Sequence, residues 1–221
     1  MRGLFRWAVD VEILEVDPTA SVANPKRPKG EGFKAWSRDD IDAFEARWPA
    51  GTHERVWLHV LLYTGLRRGD AVILGKQHIR NGVAMLKTEK TDTEVNIPIL
   101  PQLADTLATG PTGDLVFIVG KNGKPLTKET FGNYFRAACN SAGLHGLSAH
   151  GVRKIGATIA AEAGATVSEM EALFGWNGGA MASLYTKTAN RKQLAAQASE
   201  KIRNANAPHH ISLAPHLKKG V

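Results

Sequence analysis

The sequence predicts an α+β fold that is mainly α-helical, its helices set around a small three-stranded antiparallel sheet. Two observations carry this expectation. Most of the 221 residues fall in segments whose apolar positions recur at helical spacing, bounded by capping residues, glycines and prolines. One stretch breaks the period: "QHIRNGVAMLKTEKTDTEVNIPI" alternates in short runs around Asn81-Gly82, the strongest short-range hairpin signal. With 43% hydrophobic and 22% charged residues, the chain can build one sizeable core or two small ones.

Taken in order, Gly3 to Val16 reads as a short helix burying Phe5, Trp7 and Ala8. Asp17 to Gly32 reads as an extended basic linker rich in proline, either solvated or laid along phosphates. Ser37 with Asp40 forms the capping box of a helix that stops near Trp48, before Pro49. A more apolar helix over Glu54 to Tyr63 offers Val56, Leu58, Val60 and Leu61 to the core and breaks at "TGLRRGD". Three strands are expected between Ile79 and Ile97, with Lys90 at their second turn. Pro101 fits the first turn of a helix reaching Ala108. "LTKETFGNYFRAACNSAG" and "AHGVRKIGATIAAEAG" each make a further helix, ending at Gly143 and Gly164. "SEMEALFG" suggests a Ser168/Glu171 capping box and a stop at Gly175. "AMASLYTKTAN" is a short helix. "RKQLAAQASEKIRN" is amphipathic, with Leu194, Ala195, Ala198 and Ile202 on one face. The segment from Ala207 lacks periodicity, and its His209-His210 pair reads as a mobile tail rather than a metal site.

Composition narrows the function. The 28 Lys and Arg outnumber the 21 Asp and Glu, and a net charge of +7 suggests a polyanionic partner. The single cysteine, Cys139, rules out a disulfide framework within the chain and fits a reducing cytoplasm; it reads as a small buried side chain. No apolar run approaches the roughly 18 residues that span a bilayer, and the N-terminal residues do not read as a signal peptide.

Four separated stretches carry residues suited to phosphate chemistry. "TGLRRGD" supplies Arg67, "EKTD" supplies Lys90, "AHGVR" supplies His150 and Arg153, and "LFGWNGGAMASLYTK" supplies Trp176 and Tyr185. A guanidinium grips two phosphate oxygens with a planar fork. His150 and Arg153 lie three apart on a helix and so share a face. The Trp176 indole can donate a hydrogen bond but cannot act as acid or base. Taken singly, each has a plainer reading. His150 would be a helix-end histidine, Tyr185 and Trp176 packing residues, and Lys90 surface decoration. Arg68 competes with Arg67, and Lys87 with Lys90. The ordered set is what coincidence does not readily supply.

In that order and context, Ser37 to Asn206 resembles the catalytic domain of the tyrosine recombinases, the phage integrase family. "HGVRK" departs from the usual text by carrying Val152 where leucine is common, and Trp176 stands where a histidine often does. The resemblance implies a DNA strand transferase, a site-specific recombinase acting in integration or excision of a mobile element. Tyr185 would attack a DNA phosphodiester to give a 3′-phosphotyrosyl intermediate and a free 5′-hydroxyl. Arg67, Arg153 and Trp176 would hold the charge of the phosphorane, His150 would donate to the same phosphate or take the tyrosine proton, and Lys90 would protonate the departing oxygen. Asp70 is expected to orient Arg67, and Lys154 to face a neighbouring phosphate or solvent. No metal or other cofactor is implied. The implied partners are double-stranded DNA, further copies forming a tetramer on DNA from a free monomer, and accessory DNA-bending or directionality factors, with no membrane.

By the same resemblance, residues 1–32 correspond to the last helix of an N-terminal core-binding domain plus linker, 33–206 to the catalytic domain, and 207–221 to a tail. Half of a clamp should bind DNA weakly, with steep salt dependence. Three alternatives stay open here: a type IB topoisomerase-like strand transferase, a truncated DNA-binding remnant without catalysis, and, least well supported, a helix-turn-helix regulator.

Overall fold

The computed structural model describes residues 1–23, 32–189 and 191–205, in two units, Met1–Gly32 and Phe33–Val221. In the first unit, α1 (Arg2–Asp10) is shorter than expected. The Ile13 amide returns to the Ala8 carbonyl at 2.8 Å and Glu12 takes φ of +60°, which turns the chain out of the helix. Ala8 is buried as expected and Phe5 partly so, but Trp7 is 54% exposed. Within so small a unit a nine-residue helix has little surface to cover an indole. The central part of the basic linker, residues 24–31, lies outside the described residues.

The second unit opens with α2 (Arg38–Arg47). Its capping box is formed as expected: Asp40 N–H donates to Ser37 Oγ at 3.1 Å, and Ser37 N–H donates to Asp40 Oδ2 at 2.7 Å. Next, α3 (His53–Thr64) is capped by Thr52 and buries Val56, Leu58, Val60 and Leu61 completely. A single turn, α4 (Arg68–Ala71), leads to the sheet. Strands β1 (Ile79–Arg80), β2 (Val83–Lys87) and β3 (Glu94–Pro98) lie antiparallel in that order, with Val83 opposite Pro98 and Lys87 opposite Glu94. Asn81 and Gly82 both take positive φ, 50° and 75°, as a two-residue hairpin turn requires. Ala84, Leu86, Val95 and Ile97 face the core, so the alternation in the sequence sets the register.

The remaining elements are helical. They are α5 (Pro101–Thr109), with proline in its first turn, α6 (Lys128–Ser141), α7 (Ala149–Glu162), α8 (Val167–Phe174), α9 (Ala180–Thr188) and α10 (Arg191–Ala205). The capping box of α8 is Thr166/Glu169, not Ser168/Glu171. Because α8 starts two residues earlier than expected, Ser168 is already helical, and Glu171 Oε1 accepts the Gly179 N–H at 2.5 Å, tying α8 to the turn before α9. On α10, Ala195, Ala198 and Ile202 are exposed, so those positions do not pack onto their own domain; the Leu194 side chain and the segment from Ala207 lie outside the described residues.

Two cores result. Trp36, Phe44, Phe131 and Phe135 form an aromatic cluster, with Trp36–Phe44 and Phe44–Phe135 ring centroids each 5.5 Å apart. Edge and offset contacts of this kind add to the area they bury. The second, smaller core joins α7, α8 and α9 through Ala157, Ala161, Met170, Phe174, Trp176 and Ala182. Alanines on the buried face of α7 let its neighbours approach closely. Cys139 is fully buried, and burial pushes its thiol up to about 12, an inert packing group.

Candidate active site

Arg153 is the hub. It sits one turn into α7, is 6% exposed, and donates to two backbone carbonyls, Gly65 O by Nη1 and Phe174 O by Nη2, the latter at 2.7 Å. Both carbonyls are delivered by helix ends. Thr64 Oγ1 accepts the Leu66 N–H at 3.2 Å and shapes the turn after α3, and Gly65 adopts φ of +61°. A Cβ on Gly65 would stand 2.4 Å from the Phe174 ring, so the "TGL" glycine is required by conformation and by space. Gly175 closes α8 at φ of +58°, and a Cβ there would lie 2.8 Å from Val95. Arg153 is thus fixed by three elements at once. Burial and then the Arg67 charge pull its guanidinium down to about 10, while Asp70 and Tyr185 oppose this; it is still a cation at neutral pH.

Arg67, the N-cap of α4, is partly buried, and its Nη1 atom is buried without a hydrogen-bond partner. A buried donor left unmade is costly. It shares a cavity of about 420 Å³ with Lys90, His150, Arg68, Lys128 and Arg136. The rival Lys87 is instead paired with Asp92 at 2.8 Å on the exposed side of β2. His150 stands on the cavity rim, its ring 4.7 Å from the Phe33 ring. Burial, and then Arg153, Lys154, Arg67 and Lys90, lower its pKa from the ordinary histidine value, which favours the neutral imidazole.

Asp70 is 1% exposed, and its Oδ1 accepts the backbone N–H of Glu89 at 2.8 Å. It therefore holds the β2–β3 turn that carries Lys90; the hydrogen bond goes to Glu89 and not to Arg67. Glu89 in turn receives Lys128 Nζ at 2.6 Å. Lys154 also departs from expectation: its Nζ donates to the Phe33 carbonyl and pins that residue beside His150. Of the charged and aromatic residues lining the cavity, Phe33, Glu89, Lys128 and Arg136 escaped the sequence reading; Gly69, Gly132, Ser148 and Ala149 complete the lining. Phe33 alone had a local signal, an aromatic directly after the polar linker text "NPKRPKGEG".

Trp176 and Tyr185 form the neighbouring half. Trp176 is 8% exposed, stacked on Phe174 at 4.8 Å and on Tyr185 at 5.4 Å with rings within 9° of parallel. The Arg153 guanidinium lies 5.4 Å from the Trp176 ring centre. Tyr185 is half-buried; burial raises its pKa, and Arg153 partly offsets that. The structure therefore gathers Arg67, Lys90 and His150 around one cavity and stacks Trp176 and Tyr185 beside it, with Arg153 electrostatically coupled to both groups. Neither aromatic ring lines the cavity itself. Among the described residues, no group of three or more His, Cys, Asp or Glu is placed to hold a metal ion. Among the same residues, no helix is long and apolar enough to cross a membrane.

The sequence model of the phage integrase family matches residues 39–192, which include all six candidate residues. The chain belongs to the phage integrase family. This family member is 23% identical over 228 residues to the integrase of Mycobacterium phage D29, covering 90% of this chain and 60% of that protein. It is 25% identical over 228 residues to the tyrosine recombinase XerD of Vibrio vulnificus strain YJ016, covering 95% and 71%. The chain thus spans only about 60% of the length of the D29 relative. Among solved structures, a lambda integrase(75-356) dimer bound to a COC' core site superposes with a TM-score of 0.66 at 20% identity, over 86% of this chain and 71% of that one. That likeness shows the fold: helices around a small antiparallel sheet, as the sequence predicted.

Proposed function

We propose that this chain is the catalytic portion of a site-specific DNA recombinase, an integrase that cuts and rejoins double-stranded DNA in the integration or excision of a mobile element. One observation carries the proposal. Arg67 presents a buried, unpartnered guanidinium nitrogen, and Arg153, which shares its field, is coupled to Tyr185. Two fixed guanidinium groups beside a phenol suit a phosphodiester under attack.

The chemistry follows from the side chains. The neutral His150 ring takes the phenolic proton, and the Tyr185 oxygen attacks phosphorus. Arg67 and Arg153 hold the non-bridging oxygens as charge builds, and the Trp176 N–H adds a neutral donor. The bond to the 5′-oxygen breaks, and Lys90 supplies that oxygen's proton. The phosphate remains joined to Tyr185 and to the 3′-oxygen. A 5′-hydroxyl from a second strand reverses the steps, so the energy of the bond is conserved without a nucleotide cofactor. Several copies would act together on DNA, as the dimeric state of the lambda integrase neighbour encourages. Accessory DNA-bending or directionality proteins would choose between integration and excision.

The test uses a pool of duplexes nicked just 5′ or 3′ of randomised positions, so that the short cleaved strand diffuses away. The wild-type chain is expected to accumulate a covalent protein–DNA adduct stable to denaturant, and Tyr185→Phe to form none. Equal adduct from both would sink the proposal.

A further inference from the structure

On the other side of α6 lies a second cavity, of about 530 Å³, that the strand-transfer chemistry does not use. Helix α6 separates the two: Gly132 and Arg136 line the basic cavity, whereas Tyr134, Ala137 and Ala138 line this one. Successive residues of a helix point about 100° apart, so positions two apart face nearly opposite ways. Part of the wall is aromatic, and Lys121, Asn122 and Ser141 make another part polar. Trp48 and Trp57 are anchored by their ring nitrogens, Trp48 to the Ala138 carbonyl at 3.2 Å and Trp57 to the Val119 carbonyl at 3.0 Å. Tyr134 stacks on Trp57 with centroids 6.4 Å apart, and Leu126 completes the apolar lining.

Into this setting the first turn of α3 delivers Glu54. The residue is 7% exposed and lines the cavity; its side chain has neither a hydrogen bond nor an ion pair to any described residue, and its carboxylate oxygens keep contact with solvent. A carboxylate at a helix N-terminus gains from the helix dipole, which accounts for its place in sequence. The dipole does not account for its place on a wall shared with two indoles and a phenol, where no described cation pairs with it. Lys121, on the cavity wall, does not pair with it. Aromatic rings beside an unpaired carboxylate that shares their cavity are the chemistry that recognises an organic cation: the rings attract it through their faces and the carboxylate neutralises it. Trp48 already shows this capacity, since the Arg47 guanidinium, which is not part of the cavity lining, lies 4.4 Å from its ring centre. The volume is in the range of small-molecule sites.

We propose that this cavity binds a small organic cation, an ammonium or guanidinium group carried on an apolar body. Glu54 supplies the counter-charge, and Trp48, Trp57 and Tyr134 supply the cage. The site is separate from the DNA chemistry, and its occupancy can be read without DNA.

The test is calorimetric titration of the whole chain with choline and, separately, with 3,3-dimethylbutan-1-ol, its neutral counterpart of nearly the same shape. Choline is expected to saturate one site and to bind about tenfold more tightly than the alcohol. Glu54→Gln, which keeps the shape, removes that preference. Tyr134→Ala, at a half-exposed ring, weakens choline severalfold, and Lys121→Ala leaves its affinity unchanged or higher. Absence of saturable choline binding to the wild-type chain overturns the proposal, as does equal affinity for the two probes. A preference that survives Glu54→Gln, or that needs Lys121, also overturns it. The two-probe comparison on the unaltered chain stands whether or not any variant folds.

Discussion

At the scale of single residues, Arg153 joins structure to chemistry. Its two carbonyl partners are the ends of α3 and α8, so the same guanidinium that would hold a phosphate also fastens two helices. A lysine can reach one carbonyl at best and has no planar fork. Arg153→Lys is therefore expected to lower strand cleavage by about 10²–10³-fold and also to reduce the midpoint of urea unfolding. Activity loss without any loss of stability would contradict the double role. His150 gives a pH prediction. Its pKa lies below 6.5 in the folded chain, so the neutral base is present at pH 7 and disappears only as pH falls through that lowered value. Cleavage should be flat near neutrality and fall on the acid side, and His150→Gln should flatten the acid limb. The unfolded chain binds that proton more readily, so His150, and likewise the buried His59, should make stability rise with pH in the window below 6.5. The identity of these residues was legible because each stands in a short local text. Their partners were not. That Asp70 serves Glu89, and Lys154 serves Phe33, depends on contacts between segments 19 and 121 residues apart, and no local pattern encodes those.

At the scale of elements, helix ends and turns were the most readable features, because capping and turn chemistry are local. The Ser37/Asp40 box, the Pro101 start and the Asn81-Gly82 hairpin all appear where the sequence put them. The α8 cap was misplaced because two overlapping boxes, Thr166/Glu169 and Ser168/Glu171, both fit the spacing, and only packing chooses between them. The β2–β3 turn is the element on which Lys90 depends. One link to the core is the buried Asp70 carboxylate, beside the buried Thr88, with the Glu89–Lys128 pair as an exposed supplement. Asp70→Asn weakens the first of these without changing size. Hydrogen exchange at the Glu89 amide should then accelerate by about tenfold, and cleavage should fall while global unfolding moves little. An unchanged Glu89 exchange rate would mean that the turn is held elsewhere.

At the scale of the whole molecule, the fold class was legible from two periods, helical and alternating, and from the point where one gives way to the other. The division into a large aromatic core and a smaller alanine-rich core beneath Trp176 was not, since both draw on residues spread across the second unit. The surplus of basic residues takes on meaning only through the cavity that concentrates Arg67, Arg68, Lys90, Lys128 and Arg136. Binding to duplex DNA should weaken steeply with salt, and Arg136→Ala should reduce the slope of log affinity against log salt by about 0.9. An unchanged slope would place the phosphate path elsewhere.

The measurement that bears most directly on the account is the position of the covalent bond. The chain has three tyrosines, Tyr63, Tyr134 and Tyr185. Trapped adduct, digested with nuclease and protease and sequenced by mass spectrometry, should carry its nucleotide remnant on Tyr185, linked through a 3′-phosphate. A remnant on Tyr63, Tyr134, a serine or Cys139, or a 5′-phosphate linkage, would contradict the assignment of the stacked Trp176–Tyr185 pair beside Arg153 as the reacting centre.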